Sequence, residues 1–284
     1  MSRHAFLIIA HDNFSVLDKL LRALAHPRVD IFLHIDAKIK DSPFFQKDYF
    51  HLHIIQDRVD TRWGDISQIE TEYVLLETAL KHGPYSYFHI LSGTHFPLKP
   101  IEQILHFFDQ VEGKTVFHNL CTATKYQENL KLRSYNLCTR HLGYGSPAIQ
   151  RLSQMTNRLG HIIQSTLKIT RNQDVAFFKA SNWVSFTEDA ARMLIEKKDF
   201  VFKVFKFSFC GDEFFAPTVL MNSPLKEKII NYDHYLKLEM GEANPRVLTI
   251  DDSDKLIGSG YLFARKFSDK NIDMVEQIIE YTQR

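Results

Sequence analysis

The sequence predicts an α/β fold in which helices flank a mostly parallel central sheet. Over the first 110 residues, segments with strand patterns alternate with segments at helical spacing, as a parallel sheet requires. The first of them, residues 5–10, is a continuous apolar run, which is typical of a strand buried on both faces. The 284 residues hold no repeat, low-complexity tract or Gly/Pro-rich linker, so we expect a single domain over residues 1–284.

Four strands and three helices are predicted in this first part of the chain. The strands cover residues 5–10, 30–35, 52–55 and 86–91. The first helix is indicated by apolar residues at helical spacing, namely Phe14, Leu17, Leu20, Leu21 and Leu24. Ser67, with Glu70 three residues on, forms a capping box for a second helix that runs to about Lys81. Pro100 favours the first turn of a third helix, which continues to Phe108.

The second part of the chain is less regular. Residues 121–174 are polar and irregular apart from a predicted helix over residues 147–167, and we interpret them as a loop-rich insertion that covers a cleft. Beyond the insertion we expect strands at residues 182–186 and 261–263. Helices are expected over residues 187–198 and from Lys270 to the end.

Composition excludes several classes of function. The formal net charge is +1, from 35 basic and 34 acidic residues, and no long block of like charge predicts a nucleic-acid groove. The three cysteines are odd in number and widely spaced, which indicates a reducing compartment rather than a disulfide framework. No apolar run approaches the length of a transmembrane helix or a signal peptide. We therefore expect a cytoplasmic protein.

The adjacent pair Asp212-Glu213 is the most informative candidate for chemistry. Seven of the sixteen residues from Phe200 to Phe215 are Phe, so both carboxylates are expected in apolar surroundings. Such surroundings disfavour the charged form of a carboxylate and raise its pKa, which is how proteins obtain proton-transfer groups. Alternatively, Asp212 is the N-cap of a helix that begins near Glu213. The two interpretations are compatible, because a capping Asp can hold the backbone that orients a catalytic Glu.

Polar residues follow three of the predicted strands at their carboxyl ends. His11 and Asp12 follow the first strand, Asp36 follows the second, and Ser92-Gly93-Thr94-His95 follows the strand at residues 86–91. Ligands of open parallel sheets bind beyond these ends, so we predict a cleft for a polar ligand. The alternative is that these residues are polar only because strand ends generally are.

No familiar cofactor or metal motif is found in the sequence. It has no P-loop, no Gly-rich dinucleotide fingerprint after a strand, no His-Glu-x-x-His and no Cys-x-x-Cys. The acidic residues Asp251, Asp252 and Asp254 are more typical of the start of a short helix than of a cation site. His34 and Asp36 share one face of a strand, but two ligands make a weak metal site, so we expect a packed His34. Neither a metal nor a cofactor is predicted.

Two cations near the end of the chain, Arg246 and Lys266, are flanked by apolar residues. Cations held in this way can stabilise a diphosphate leaving group in place of Mg²⁺. The alternative for each is a surface cation whose aliphatic part covers apolar surface.

A set of segments, in order along nearly the whole chain, resembles the core-2/I-branching β-1,6-N-acetylglucosaminyltransferase family, which includes peptide O-xylosyltransferases. Each segment alone is a weak signal, but their common order is a strong one. The segments are Leu7-Ile8-Ile9-Ala10-His11, His34-Ile35-Asp36, Trp63-Gly64-Asp65-Ile66-Ser67-Gln68-Ile69-Glu70, His89-Ile90-Leu91-Ser92-Gly93-Thr94-His95-Phe96-Pro97-Leu98-Lys99, Ala180-Ser181-Asn182-Trp183, Gly211-Asp212-Glu213 and Leu262-Phe263-Ala264-Arg265-Lys266-Phe267.

The resemblance implies a GT-A-type nucleotide-sugar fold and an inverting, metal-independent transfer from a UDP-sugar to a hydroxyl of a glycan acceptor. The catalytic base of the family falls on Glu213. Its diphosphate contacts fall on Arg246 and Lys266, and its uridine-binding strand ends fall on His11 and Asp36. GlcNAc is the favoured sugar, while xylose, glucose and galactose stay open.

On the acceptor side, the resemblance implies roles for Asp212, Trp183, Tyr235 and His95. The sequence departs from the family at three positions: Asp65 stands where a second Gly is usual, His95 replaces an Asp, and Tyr235 replaces an expected Trp. Tyr can still stack on a sugar face, so a carbohydrate acceptor remains the expectation.

The resemblance makes residues 1–110 the nucleotide-binding half and residues 111–284 the acceptor and catalytic half. Without the membrane anchor and disulfides of the animal enzymes, the chain looks like a bacterial cytoplasmic relative that acts on a lipid-linked glycan or a polysaccharide precursor, with peripheral contact at the inner membrane face. Two alternatives stay open. One is a non-catalytic glycan- or nucleotide-binding protein, and the other is a metal-dependent hydrolase that uses Asp251, Asp252 and Asp254.

Overall fold

The computed structural model of the protein describes residues 2–41, 51–241 and 245–283. Its strands are β1 (His4–Ala10), β2 (Val29–Ile35), β3 (Leu52–Ile54), β4 (Tyr87–Ser92), β5 (Phe96–Pro97), β6 (Thr115–Phe117), β7 (Cys121–Thr122), β8 (Phe178–Lys179), β9 (Ser185–Thr187), β10 (Ile229–Asn231), β11 (Leu236–Leu238) and β12 (Phe263–Arg265). Its α-helices are α1 (Phe14–Ala23), α2 (Ser67–His82), α3 (Ile101–Gln110), α4 (Lys125–Gln127), α5 (Pro147–Thr166), α6 (Glu188–Glu196), α7 (Lys198–Phe205), α8 (Phe215–Met221), α9 (Ser253–Leu256) and α10 (Ile272–Thr282).

Seven strands form the central sheet in the order β10-β6-β9-β4-β1-β2-β3. β1 is parallel to both of its neighbours, β2 and β4, whereas β9 is antiparallel to β4 and β6. The strands β11, β12 and β5 form a second sheet, and β7 pairs with β8. The predicted α/β class, with a mostly parallel sheet flanked by helices, is confirmed, and the arrangement is consistent with a GT-A-like fold.

Alternate residues of β1 belong to two apolar clusters. Phe6 and Ile8 lie in the cluster that contains residues of α1, α3 and α10, whereas Ala5 and Leu7 lie in the cluster that contains residues of α2 and α6. Successive side chains of a strand point to opposite faces, so a strand covered on both faces must be apolar throughout. This explains why the run at residues 5–10 does not alternate with polar residues.

Most predicted elements lie within a few residues of their expected bounds. The helix expected over residues 187–198 is found as α6, and Thr187 caps it by accepting a hydrogen bond from the Ala190 N–H at 3.4 Å. The helix α7, which follows it directly, was not predicted. The strands expected at residues 182–186 and 261–263 are shifted to β9 and β12. The short strands β5, β6, β10 and β11 were not predicted, because two or three residues carry no periodic signal.

The capping box predicted at Ser67 is wrong, because Ser67 lies inside the first turn of α2. Its hydroxyl accepts a hydrogen bond from the backbone N–H of Arg62 at 3.0 Å. The carboxylate of Asp65 accepts a hydrogen bond from the Ser67 N–H at 3.2 Å and so satisfies a free donor of the helix start. Asp65 therefore acts where Ser67 was expected to act.

The insertion over residues 121–174 contains α5, as predicted, and α5 begins after Ser146, whose side chain accepts a hydrogen bond from the Ile149 N–H. The insertion is joined to the loop before α2. The Thr139 hydroxyl donates to Asp65 at 2.8 Å, and the Arg62 guanidinium donates to the Arg140 carbonyl at 3.0 Å. In the part of the chain that the structure describes, none of the helices combines the length and the apolar character needed to cross a bilayer.

Candidate active site

The carboxyl ends of β1, β2 and β4 lie side by side at one edge of the central sheet. This arrangement brings His11, Asp36 and His95 to the same edge. β12 is antiparallel to β5, the strand that directly follows His95, so Arg265 and Lys266 arrive there as well. The predicted convergence of polar strand ends is therefore found, and the last part of the chain contributes two cations to it.

His11 and Asp36, the predicted uridine contacts, differ in exposure. The His11 side chain is exposed, and its Nε2 lies 3.6 Å from the Asp12 carboxylate. Asp36 is buried, and its carboxylate accepts hydrogen bonds from the Lys38 N–H at 2.8 Å and from the Lys38 ammonium at 2.6 Å. The same ammonium lies 3.0 Å from Asp60. Lys38 therefore holds the Asp36 carboxylate in one orientation at the strand end.

His95, Trp183 and Arg265 pack together beside this edge, with the His95 ring edge-on to the Trp183 ring. The Trp183 ring lies 4.6 Å from the His95 ring and 4.7 Å from the Arg265 guanidinium. The backbone N–H of Ser92 donates to His95 Nδ1 at 3.0 Å, so Nδ1 is an acceptor and the proton of the neutral ring lies on Nε2. Burial, followed by the charge of Arg265, holds the His95 pKa well below its usual value. His95 is thus an uncharged N–H donor.

Arg265 was not singled out from the sequence. Burial lowers the pKa of its guanidinium to about 10, with the charge of Asp12 acting in the opposite direction. A cation stacked on an aromatic ring is stabilised by the ring quadrupole, which favours the partly desolvated position of Arg265. No periodic pattern distinguishes Arg265 from Lys266, because only the pairing of β12 with β5 decides which of them faces Trp183.

The prediction that Tyr235 stacks on an acceptor sugar is corrected by the structure. Tyr235 is completely buried, its hydroxyl lies 3.0 Å from Ser185 Oγ, and its ring packs on Phe263. An aromatic ring needs an exposed face to stack on a sugar, and this ring has none. Its position in the core follows from the close pairing of β11 with β12 directly after it.

Asp212 and Glu213 share one 3₁₀ turn, Gly211–Glu213, but Asp212 faces the interior. Asp212 is 8% exposed, and its carboxylate accepts a hydrogen bond from the Gln68 amide at 2.9 Å. Burial, reinforced by the charge of Glu213, raises the Asp212 pKa to about 7. The N-cap interpretation is wrong, because Asp212 makes no side-chain capping bond and the next helix, α8, starts at Phe215. The rise in carboxylate pKa that we expected from the apolar surroundings is therefore found at Asp212.

Glu213 faces the opposite way, toward cations. Its carboxylate is 35% exposed and lies 3.3 Å from the Lys179 ammonium and 4.0 Å from the Lys131 ammonium. The Lys131 ammonium also lies 5.7 Å from the centres of two rings, those of Phe209 and Phe214. Neither lysine was predicted, because each reaches Glu213 only through folding of distant segments. Glu213 is therefore an accessible carboxylate held at the cleft by two positive charges.

Glu72 is a further buried carboxyl, and the sequence interpretation missed it. It lies one helical turn after Gln68 on α2, is 1% exposed, and its Oε1 has no hydrogen-bond partner in the described structure. Burial, and then the charge of Asp212, raises its pKa well above the usual value. A signal was present, because Glu72 stands three or four residues from Ile69, Leu75 and Leu76 and so lies on the apolar face of the predicted helix.

Gly64 holds the loop before α2 against the turn that carries the two carboxylates. Its φ is +75°, and a Cβ atom on it would lie 2.5 Å from the Phe209 ring. The Gly64 carbonyl accepts a hydrogen bond from the Cys210 N–H at 3.0 Å. A residue with a side chain would meet both backbone strain and a clash at this point.

Arg246 is already engaged in an ion pair. Its guanidinium donates two hydrogen bonds to the Asp252 carboxylate, at 2.7 and 2.6 Å, and these bonds lower the Asp252 pKa to about 2. Among the described residues, the Lys266 ammonium has no hydrogen-bond or ion-pair partner. The two predicted diphosphate contacts are therefore unequal: Lys266 is available as it stands, and Arg246 shares its donors with Asp252.

The residues considered as metal ligands are used in other ways. Asp252 binds Arg246 and accepts a hydrogen bond from the Thr249 N–H, at the start of the short helix that the sequence favoured. His34 is packed, as expected, and its Nε2 accepts a hydrogen bond from the Val59 N–H at 2.8 Å. Within residues 2–41, 51–241 and 245–283, no group of three or more His, Cys, Asp or Glu side chains is arranged to hold a metal ion.

Buried polar atoms without hydrogen-bond partners concentrate around the proposed cleft. Nine such side-chain atoms occur in the described part of the chain. Five of them belong to residues at or beside the cleft: Asp12, His95, Asn182, Asp212 and Arg265. Unpaired buried polar groups are costly, and a bound polar ligand is one means of satisfying them. A cavity of about 560 Å³ between α5 and the segment at residues 126–134 is lined by none of these residues.

Comparison with known proteins identifies a family for this chain. A family model described as Core-2/I-Branching enzyme matches residues 4–236, which is more than half of the chain. The matched range contains both carboxylates of the Asp212-Glu213 pair, together with His95 and Trp183, and it ends before Arg246 and Lys266. No curated protein matches the chain.

Proposed function

Because the chain belongs to the core-2/I-branching enzyme family and is therefore a glycosyltransferase, we propose that it transfers N-acetylglucosamine from UDP-GlcNAc to a hydroxyl of a glycan acceptor. We propose inversion at the anomeric carbon and no requirement for a metal ion. The observation that carries the proposal is the difference within one turn: Glu213 is accessible and lies between two lysines, whereas Asp212 is buried and bonded to Gln68. An accessible carboxylate at a cleft suits a general base.

In the proposed reaction, the acceptor oxygen attacks C1 of the donor sugar from the face opposite UDP. The new C–O bond forms as the bond from C1 to the UDP oxygen breaks, and Glu213 takes the acceptor proton. The electron pair of the broken bond leaves with UDP. A positioned general base contributes roughly 10²–10⁴ to the rate, and cations in place before the reaction stabilise the charge that develops on the diphosphate.

The proposed donor contacts are His11 and Asp36 for the uridine, and Lys266 with Arg246 for the diphosphate. Lys266 contributes more to diphosphate binding than Arg246 does, because its ammonium has no other partner among the described residues. Arg246 joins it through the N–H groups that Asp252 leaves free, since a guanidinium has five donors. The Asp252 pair then orients Arg246 in advance of binding.

On the acceptor side we propose His95, Trp183 and Asp212, with Tyr235 in a structural role. The half-buried Trp183 ring offers an apolar face to a sugar. His95 is completely buried and packs edge-on against that ring, so its proposed role on the acceptor side is to hold Trp183 in place. Among the described residues, Oδ1 of the buried Asp212 carboxylate has no hydrogen-bond partner, and we propose that a hydroxyl of the bound acceptor supplies one. We also propose that the acceptor is a lipid-linked glycan or polysaccharide precursor met at the inner membrane face, in a reducing compartment, consistent with three free cysteines.

The test combines donor binding with turnover of Glu213→Gln. Calorimetry with UDP-GlcNAc, UDP-xylose, UDP-glucose and UDP-galactose in EDTA is expected to show binding of UDP-GlcNAc without metal. Glu213→Gln is expected to bind the donor as the unmodified protein does and to lose sugar transfer by roughly 10²–10⁴. Glu227→Gln is the matched control, since Glu227 is 81% exposed. Full transfer by Glu213→Gln would refute its role as base, and binding only after addition of Mn²⁺ would refute the metal-independent mechanism.

A further inference from the structure

α5 rests on the protein through its polar side chains. Ser153 and Gln164 are the buried residues of this 20-residue helix. Asn157, His161 and Gln164 hydrogen-bond to the segment at residues 135–138, at 3.2, 3.1 and 2.7 Å respectively. A surface helix ordinarily turns its apolar side toward the core. In α5 the arrangement is the opposite, because polar residues make the attachment.

The apolar side of α5 consequently points away from the protein. Leu152, Met155, Leu159 and Ile162 are spaced by three or four residues, so they form one stripe along the helix. We define the outer face of α5 as this stripe with its neighbours, all of which are exposed: Ile149, Leu152, Met155, Leu159, Ile162 and Ile163. The exposed fractions of Leu152, Met155 and Leu159 are 65%, 68% and 59%. At 1.5 Å per residue, the helix is about 30 Å long.

The charges around the outer face have one sign. From residue 129 to residue 173 the sequence contains Lys and Arg but no Asp or Glu. Arg151 and Arg158, seven residues apart, lie on one edge of the stripe, and Lys168 follows the end of the helix, all three being exposed. No ion pair involves these three cations in the part of the chain that the structure describes. The outer face is thus apolar and bordered by unneutralised positive charge.

A second copy of the chain is a poor occupant for this face. A two-fold contact brings the same patch of both copies together, so the cations of one copy would approach those of the other. The segment at residues 129–173 has no acidic side chain to pair with them. A membrane that contains anionic lipids matches both properties, because headgroups complement the cations and acyl chains accept the apolar stripe.

We propose that the outer face of α5 lies in the headgroup region of an anionic membrane, with its apolar side chains in the acyl boundary. This inference rests on the proposed function, since a lipid-linked acceptor would be the reason for membrane binding. It adds to that function the surface that brings the enzyme to the acceptor. The insertion that presents α5 also supplies Lys131 beside Glu213. Membrane docking and the acceptor side of the cleft therefore belong to one structural unit.

The test is co-sedimentation of the full chain with vesicles of phosphatidylcholine, with and without phosphatidylglycerol. We expect binding to the phosphatidylglycerol vesicles and its loss at high salt. The double variant Leu152→Gln/Leu159→Gln is expected to bind the vesicles more weakly, by about tenfold or more for each substitution. Arg151→Gln with Arg158→Gln is expected to weaken it about fivefold for each charge.

Two matched double variants serve as controls. Ile54→Gln with Met240→Gln replaces exposed apolar residues outside α5, and Lys226→Gln with Lys228→Gln removes exposed cations outside it. Both are expected to bind vesicles as the unmodified chain does. Thermal melts check that every variant is folded.

The proposal is overturned if the unmodified chain does not sediment with phosphatidylglycerol vesicles, or if the Leu152/Leu159 variant binds them equally well. It is also overturned if the unmodified chain does not bind vesicles and ultracentrifugation shows that it is a dimer which becomes monomeric in the Leu152/Leu159 variant. Calorimetric binding of UDP-GlcNAc without vesicles separates this test from that of the proposed function. Vesicle binding without donor binding would refute the donor assignment alone, and the reverse result would refute the membrane surface alone.

Discussion

Replacing Asp212 by Asn is expected to change the pH dependence of stability. Burial and the Glu213 charge raise the Asp212 pKa in the folded protein to about 7, against an ordinary value of 3.8. Between these two values the folded state holds a proton that the unfolded state has released, so the contribution of Asp212 to stability falls as pH rises through this range. Each unit of pKa difference corresponds to about 1.4 kcal/mol. The total loss between pH 4 and pH 8 is therefore on the order of 4 kcal/mol.

The variant lacks the ionisable group, and the Asn carbonyl can still accept the hydrogen bond from Gln68. Its free energy of unfolding relative to the unmodified protein should therefore rise by several kcal/mol from pH 4 to pH 8. Urea unfolding, followed by circular dichroism at several pH values, measures this difference. Asp189→Asn is the control, because Asp189 is 65% exposed and should leave the pH slope unchanged. If Asp212→Asn and the unmodified protein had parallel curves, Asp212 would not be a buried carboxyl of raised pKa.

Three further substitutions test other parts of the site. Lys266→Gln should weaken UDP-sugar binding in EDTA roughly ten- to a hundredfold in calorimetry, since a hydrogen bond to a charged group is lost; unchanged affinity would exclude a diphosphate contact. Tyr235→Phe should lower the free energy of unfolding in urea by about 1 kcal/mol, because Ser185 loses a partner, and should leave the KM for acceptor unchanged. A raised KM at full stability would return Tyr235 to the acceptor site. Gly64→Ala should cost on the order of 1–3 kcal/mol in the same unfolding assay, given the positive φ and the nearby Phe209 ring; no loss would contradict the described loop.

Much of the fold was predictable because its signals are local. The apolar run of β1 and the helical spacing of α1 each depend on residues close in the chain, and both elements were placed within a residue of their true start. The sheet edge that gathers His11, Asp36 and His95 follows from the carboxyl ends of parallel strands. Where the prediction failed, as at the Ser67 capping box, a contact from outside the helix competed with the local pattern.

The candidate site was predictable only in part. The apolar segment singled out the pair Asp212-Glu213, and the family resemblance assigned the base to Glu213, yet the buried carboxylate with the raised pKa is Asp212. Which of two adjacent residues faces inward in a 3₁₀ turn depends on what packs against the turn, here Gln68 from α2. Tyr235 shows the same limit, because the polar and aromatic residues around it do not reveal that strand pairing buries its ring.

The sequence by itself determined the α/β class, the order of the main elements and the family, because periodic patterns and ordered motifs are carried by neighbouring residues. It also contained the apolar stripe of α5 as a pattern, but it did not show whether this stripe faces the core or the solvent. Only the tertiary structure decided that α5 attaches through polar side chains, that Lys131 and Lys179 flank Glu213, and that Gln68 of α2 bonds to Asp212. The physical reason is common to all three. Side-chain environment is set by contacts between segments far apart in the chain, and local patterns carry no information about those contacts.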